Sequence, residues 1–163
     1  NMKTNKVQFM TQAAMIAAIY VVLTYIFAPF SFGEVQVRIS EALTILPIFT
    51  PAAIPGLFVG CLIGNILGGA ILPDIVFGSI ATLIGAFFTW KLREQKPVVA
   101  TFPPIISNII IVPFVLRYGY GVTLPIPFMM LTVGIGEVIS CTVLGLIVYG
   151  ALKKYKSTLF RTA

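Results

Sequence analysis

The chain has 163 residues, 58% of them apolar and 10% charged, with a mean hydropathy of +1.02 and a net charge of +6. Such proportions exclude an ordinary soluble domain and mark an integral membrane protein. Nucleic acid is excluded as a partner, because the cations flank apolar runs and form no basic stripe interleaved with exposed aromatics. The length gives room for roughly six crossings of about 20 residues each and little besides, so a single transmembrane domain over residues 1–163 is expected.

Lys3 and Lys6 precede a first span at about 7–28, too long for a signal-peptide core and therefore a retained anchor. It stops at Ala28-Pro29, since proline disfavours helix in the residue before it. In the segment that follows, Val35, Val37 and Ile39 alternate with Glu34, Gln36 and Arg38, the pattern of an extended lid with one polar face. Arg38 and Glu41 also stand three apart, the spacing of an ion pair on a helix face.

Residues 40–51 and 53–72 are apolar but interrupted by Pro47, Pro51 and Pro55, and are read as a short descending span, a tight turn and a rising span. A re-entrant hairpin is the alternative, and it returns the chain to the same side. The fourth span, 74–91, ends at the interfacial Trp90 and the basic turn KLREQK. The fifth, 98–117, crosses Pro103-Pro104 and Pro113, which remove backbone donors and must break or kink it. The sixth, 127–152, runs into Lys153, Lys154, Lys156 and Arg161. Nine of the eleven cations then lie on one side, which makes that side cytoplasmic and places both termini there.

Against this frame the polar residues inside the spans stand out. Glu137 lies about ten residues, or roughly 15 Å, below the outer end of the sixth span, and Asn108 lies at similar depth in the fifth. A charge there costs several kcal/mol, so it must face protein, water or ligand. The alternatives for Glu137 are a binding role and a structural bond to backbone groups freed by the nearby prolines. Asn65 sits in the outer half of the third span, and Asp74 opens the fourth, where helix capping is the plain alternative.

Small residues at four-residue spacing mark packing surfaces. Gly60, Gly64 and Gly68 suit close approach within the bundle, whereas Ala13 with Ala17 and Ala14 with Ala18 suit either an internal neighbour or another chain. Cys61 and Cys141 fall in apolar runs with no CxxC pair and no histidine in the chain, and read as packing residues without disulfide or metal. No P-loop, HExxH or GxSxG motif is present, so neither ATP hydrolysis nor a recognisable catalytic centre is expected.

The segments VQVRISEALTILP, PAAIPGLFVGCLIGNILGG, DIVFGSIATLIGAF, PPIISNIIIVPFVL and VGIGEVISCTVLG resemble the QueT family of queuosine-precursor transporters, over most of residues 35–146. The family belongs to the substrate-binding S components of energy-coupling factor (ECF) transporters. That likeness implies six membrane helices with a pocket near the external face, and a prokaryotic cell membrane. It also implies a module of one transmembrane coupling subunit and two ATPases that alone use ATP, with no cofactor on this chain. The ligand it implies is queuine or a 7-aminomethyl-7-deazaguanine-like base. On the matching segments the site residues are Gln36, Arg38, Glu41, Asn65, Asp74, Asn108 and Glu137, and the docking surface for the coupling subunit is Ala13, Ala14, Ala17 and Ala18.

A carboxylate accepts the adjacent ring N–H and amine of a guanine-like base in bidentate fashion, and asparagine serves its carbonyl edge. Glu34 and Arg117 are rim candidates, and Phe30, Phe32, Tyr118 and Tyr120 are either a stacking lid or an interfacial aromatic belt. Other S-component ligands (riboflavin, thiamine, biotin), a self-sufficient secondary carrier and an intramembrane enzyme are the competing readings.

Overall fold

The computed structural model describes residues 2–27 and 38–155, and among these there are helices and turns but no strand. Gln36, Glu34, Phe30, Phe32, Lys156 and Arg161 lie outside the described residues. Helix α1 is Met2–Ile26, α2 Ala53–Leu67, α3 Leu72–Lys91, α4 Phe102–Tyr118, α5 Ile126–Glu137 and α6 Gly145–Leu152. A 3-10 helix, Ile39–Ile48, precedes α2, a single turn, Pro97–Ala100, precedes α4, and a π-helical stretch, Val138–Leu144, joins α5 to α6.

Four stretches are long and apolar enough to cross a membrane: Asn5–Ile26, Leu72–Lys91, Pro97–Tyr118 and Ile126–Tyr155. The other two apolar helices, Ile39–Ile48 and Ala53–Leu67, are shorter. The first of these was expected as an ordinary helix and is instead wound as 3-10. With about 2.0 Å rise per residue, ten residues in this form reach about 20 Å, against about 15 Å as α-helix, which lets a proline-limited segment go deeper. Its residues Ser40 through Pro47 are all buried, so the bundle's packing holds a form that rarely persists beyond one turn.

The prolines of the fifth span also act differently from a mid-helix kink. Thr101 closes the short turn by donating from Oγ1 to the Val98 carbonyl (2.6 Å), and Pro103 and Pro104 fall in the first turn of α4, where a missing donor costs nothing. Pro113 alone lies inside a helix.

Helices α1 and α2 approach closely through glycine. A Cβ on Gly56 would stand 2.8 Å from the Ala13 carbonyl, and one on Gly60 2.8 Å from the Tyr20 Cβ. The stripe is therefore Gly56, Gly60 and Gly64, one turn earlier than the spacing 60-64-68 suggests, because Gly68 caps the end of α2. Ala13 and Ala17 face this stripe, while Ala14 and Ala18 are exposed on the opposite side. The four alanines thus form two surfaces.

The connections leave two distinct ends. Thr50 donates to Gln12 (2.8 Å), Phe49 stacks on Tyr149 at 5.4 Å, and Thr89 donates to the Ala100 carbonyl (3.0 Å) at the end carrying Lys91 to Lys96 and Lys153. At the other end the last turn of α1, the start of the 3-10 helix, the end of α2, the start of α3 and the loop after α4 converge. Arg38, Ser40, Asn65 and Asp74 are buried at this second end, and Thr50, Thr89 and Thr101 at the first.

Candidate functional site

Helical spacing generates the site, because each contributing helix places polar side chains four residues apart on the face turned toward its neighbours. On α1 these are Tyr20 and Thr24; on α2, Cys61 and Asn65; across the α5–π junction, Glu137 and Cys141; α4 adds Asn108, whose side chain reaches back to the Pro104 carbonyl. The 3-10 helix enters among them with Ser40 and Glu41. Arg38 stands just before it in extended conformation.

Arg38, Glu41, Asn65, Asp74, Asn108 and Glu137 are all at most 7% exposed. The Tyr20 hydroxyl donates to Glu41 Oε1 at 2.5 Å, and the Cys141 thiol contacts Glu137 Oε2 at 3.2 Å and Glu41 Oε2 at 4.0 Å. Asn108 Nδ2 donates to Glu137 Oε2 (3.3 Å) and to the Pro104 carbonyl (2.8 Å). Glu137 is thus held by side chains, and Asn108 ties it to the Pro104 carbonyl at the start of α4.

A second group adjoins the first. Arg38 Nη2 donates to Asn65 Oδ1 (3.1 Å), and its Nη1 lies 3.9 Å from Cys61 Sγ. Arg38 also interacts electrostatically with Tyr20 and Glu41, and Glu137 with both Glu41 and Arg38. Asp74 receives the Tyr120 hydroxyl at 2.6 Å, and Tyr120 in turn accepts the Ile71 N–H at 3.3 Å. Asp74 lies in the first turn of α3, but no side chain caps that helix, so its carboxylate serves the loop contact. Gly78 opens the space between the groups: a Cβ there would meet Asn65 Nδ2 at 3.2 Å and Asp74 Oδ1 at 3.3 Å.

Burial, reinforced by the hydrogen bond to Asp74, raises the Tyr120 phenol to about 12, so it is a neutral donor across the physiological range. Three carboxyl groups and one guanidinium occupy this low-dielectric region, an excess of acceptors that suits a ligand rich in N–H donors. Ser79 and Ser140 add two buried hydroxyls without a hydrogen-bond partner among the described residues, and such groups ordinarily have one. Two apolar grooves, of about 450 and 420 Å³, lie elsewhere and are lined by none of these residues.

Sequence reasoning passed over Tyr20, Thr24 and Ser40, with Thr24 donating to Ser40 at 2.8 Å, and set the cysteines aside as apolar packing. Both cysteines are free and buried, but they contact the polar network as well as the core. The signal that would have found Tyr20, Cys61 and Cys141 is a four-residue offset from another polar position on the same helix. Ligand atoms of Glu41, Glu137 and Cys141 lie within 4.8 Å of one another, a mixed oxygen and sulfur set of the kind that holds a cation.

In comparison with known proteins, the family model described as QueT transporter matches residues 10–154. A protein of Lactococcus lactis subsp. cremoris named queuosine precursor transporter QueT is 33% identical over 85 residues, which cover 51% of this chain and 50% of that protein. The chain therefore aligns with about half the length of this relative. No solved structure gives a significant match.

Proposed function

The chain belongs to the QueT transporter family, and on that premise we propose that it is the substrate-binding membrane subunit, the S component, of an ECF-type importer for a queuosine precursor. The observation that supports the reading is the burial of Glu41, Glu137, Asn65, Asn108 and Asp74, with Glu41, Glu137 and Asn108 linked around Cys141 and Asn65 bonded to Arg38. The ligand is queuine or a 7-aminomethyl-7-deazaguanine-like base. Glu137, presented by α5 and steadied by Asn108 and Cys141, accepts the paired N–H donors of the base; Asn65 and Asn108 serve its carbonyl edge; Asp74 or Glu41 meets the cationic amine. Gln36, which lies outside the described residues, is a further proposed contact of the base.

Six spans, with both termini on the cytoplasmic side of a prokaryotic cell membrane, accommodate this arrangement, the 3-10 helix and α2 being the two short crossings. Binding requires the internal hydrogen bonds to be exchanged for ligand contacts, and Arg38 and Tyr120 are the groups whose movement opens the site. The chain carries no P-loop of its own. Transport is driven by one transmembrane coupling subunit and two ATPases, with ATP used by those partners and no cofactor on this chain. The exposed Ala14 and Ala18 are the part of the docking surface free to meet the coupling subunit; Ala13 and Ala17 are engaged by α2.

Uptake of a radiolabelled deazaguanine base into proteoliposomes tests this. The chain alone is expected to bind but not accumulate it, and to accumulate it when co-reconstituted with an ECF module and internal ATP. Accumulation by the chain alone, driven by a proton gradient, would establish a secondary carrier instead. Conversion of the base to another compound would establish an enzyme.

A further inference from the structure

An apolar groove of about 450 Å³ runs along the outside of the bundle between α3 and α4, lined among others by Pro73, Phe77, Ile110, Phe114 and Tyr118. Both helices belong to stretches able to cross a membrane, so the groove opens toward lipid acyl chains. Phe114 and Tyr118 stack with centroids 6.4 Å apart and form one wall. At the head of this wall stands Arg117, three residues after Phe114 and seven after Ile110, which places it on the same edge of α4, about two turns above Ile110. Arg117 is exposed, and its guanidinium has no ion-pair or hydrogen-bond partner among the described residues.

From Ile110 to Arg117 the helix rises about 10 Å, against about 15 Å for one leaflet's half of the hydrocarbon core. Arg117 therefore stands beside the Tyr118 end of the apolar groove, at a height above Ile110 that falls within one leaflet. We propose that this groove binds an anionic glycerophospholipid, with an acyl chain between Phe77 and Phe114 and the phosphate on Arg117. The charge selects the headgroup; the channel selects the chain. Pro73 and Gly119, which also line the groove, each adjoin one partner of the Asp74–Tyr120 hydrogen bond, so the lipid lies against the outer side of that contact.

The test uses a local reporter. Trp90 is the one tryptophan of the chain; in a Trp90→Phe background, Tyr118→Trp puts an indole at the groove. In vesicles containing phosphatidylglycerol or phosphatidylcholine with brominated chains, quenching measures which lipid occupies it. Phosphatidylglycerol is expected to be preferred about fivefold, the ratio that one cation–lipid contact supplies. Arg117→Gln is expected to remove the preference and Arg117→Lys to retain most of it. Equal quenching by the two lipids, or a preference that survives Arg117→Gln, would overturn the proposal.

Discussion

Replacing Gly60 with alanine tests the α1–α2 contact that positions Tyr20, and Gly64 supplies the internal control. Alanine is the better helix former by about 1 kcal/mol at either position. The added methyl at Gly60 would stand 2.8 Å from the Tyr20 Cβ and 3.1 Å from the Ala17 carbonyl, whereas at Gly64 its nearest neighbours are Thr24 atoms at 3.5 Å, an ordinary contact. Overpacking costs about 1–3 kcal/mol, so Gly60→Ala comes out neutral to about 2 kcal/mol destabilised and Gly64→Ala neutral or slightly stabilised. At roughly 2–4 °C per kcal/mol for a chain of this size, the overpacking difference should separate the two melting points by about 2–12 °C in thermal unfolding of the detergent-purified protein. The separation of α1 from α2 also moves the Tyr20 hydroxyl from Glu41, so Gly60→Ala should weaken ligand binding while Gly64→Ala leaves it alone. Equal melting points and equal affinities for the two variants would refute the close-approach argument.

Tyr20→Phe leaves the buried Glu41 Oε1 without the donor at 2.5 Å, and should lower stability by about 1–3 kcal/mol in the same unfolding assay. Tyr120→Phe removes the contact to Asp74, and its cost should vary with pH. Because the folded phenol is raised to about 12 from an ordinary value near 10, the stabilisation is fully present below about pH 10 and lost between about 10 and 12. Melting curves of wild type and variant should therefore converge over that interval, and a gap that closes below pH 9 would contradict the assignment. Leucine at Ala14 and Ala18 should leave binding and melting intact yet abolish ATP-driven uptake, while Ala17→Leu, buried against α2, should destabilise the chain by about 1–3 kcal/mol.

Much of the architecture was readable from the chain because hydropathy and charge act over whole spans. Helix α3 begins at Leu72 and α5 at Ile126, each beside a proline, and α3 ends at Lys91, where a basic run follows. The 3-10 winding of Ile39–Ile48 was not readable, because local preference does not favour it and only tertiary burial holds it. For the same reason the π-helical Val138–Leu144, which sets Cys141 beside Glu137, left no mark in composition. The buried acids and amides were visible as single residues costly to place in lipid. Their partners were not, because Tyr20, Cys61 and Cys141 pass as ordinary apolar-span residues until the neighbouring helix is known. The glycine stripe was found but shifted by one turn, as spacing defines a repeat and only the helix end decides which members face a partner.

Calorimetric titration of the purified chain with deazaguanine bases, repeated for Glu137→Gln, addresses the central claim most directly. Saturable binding of a queuosine precursor by the wild-type chain, weakened by at least tenfold (about 1.4 kcal/mol) when the Glu137 carboxylate becomes an amide, is the result the buried acid–amide cluster predicts. Unchanged affinity in Glu137→Gln, or no binding of any such base to the intact chain, would contradict it.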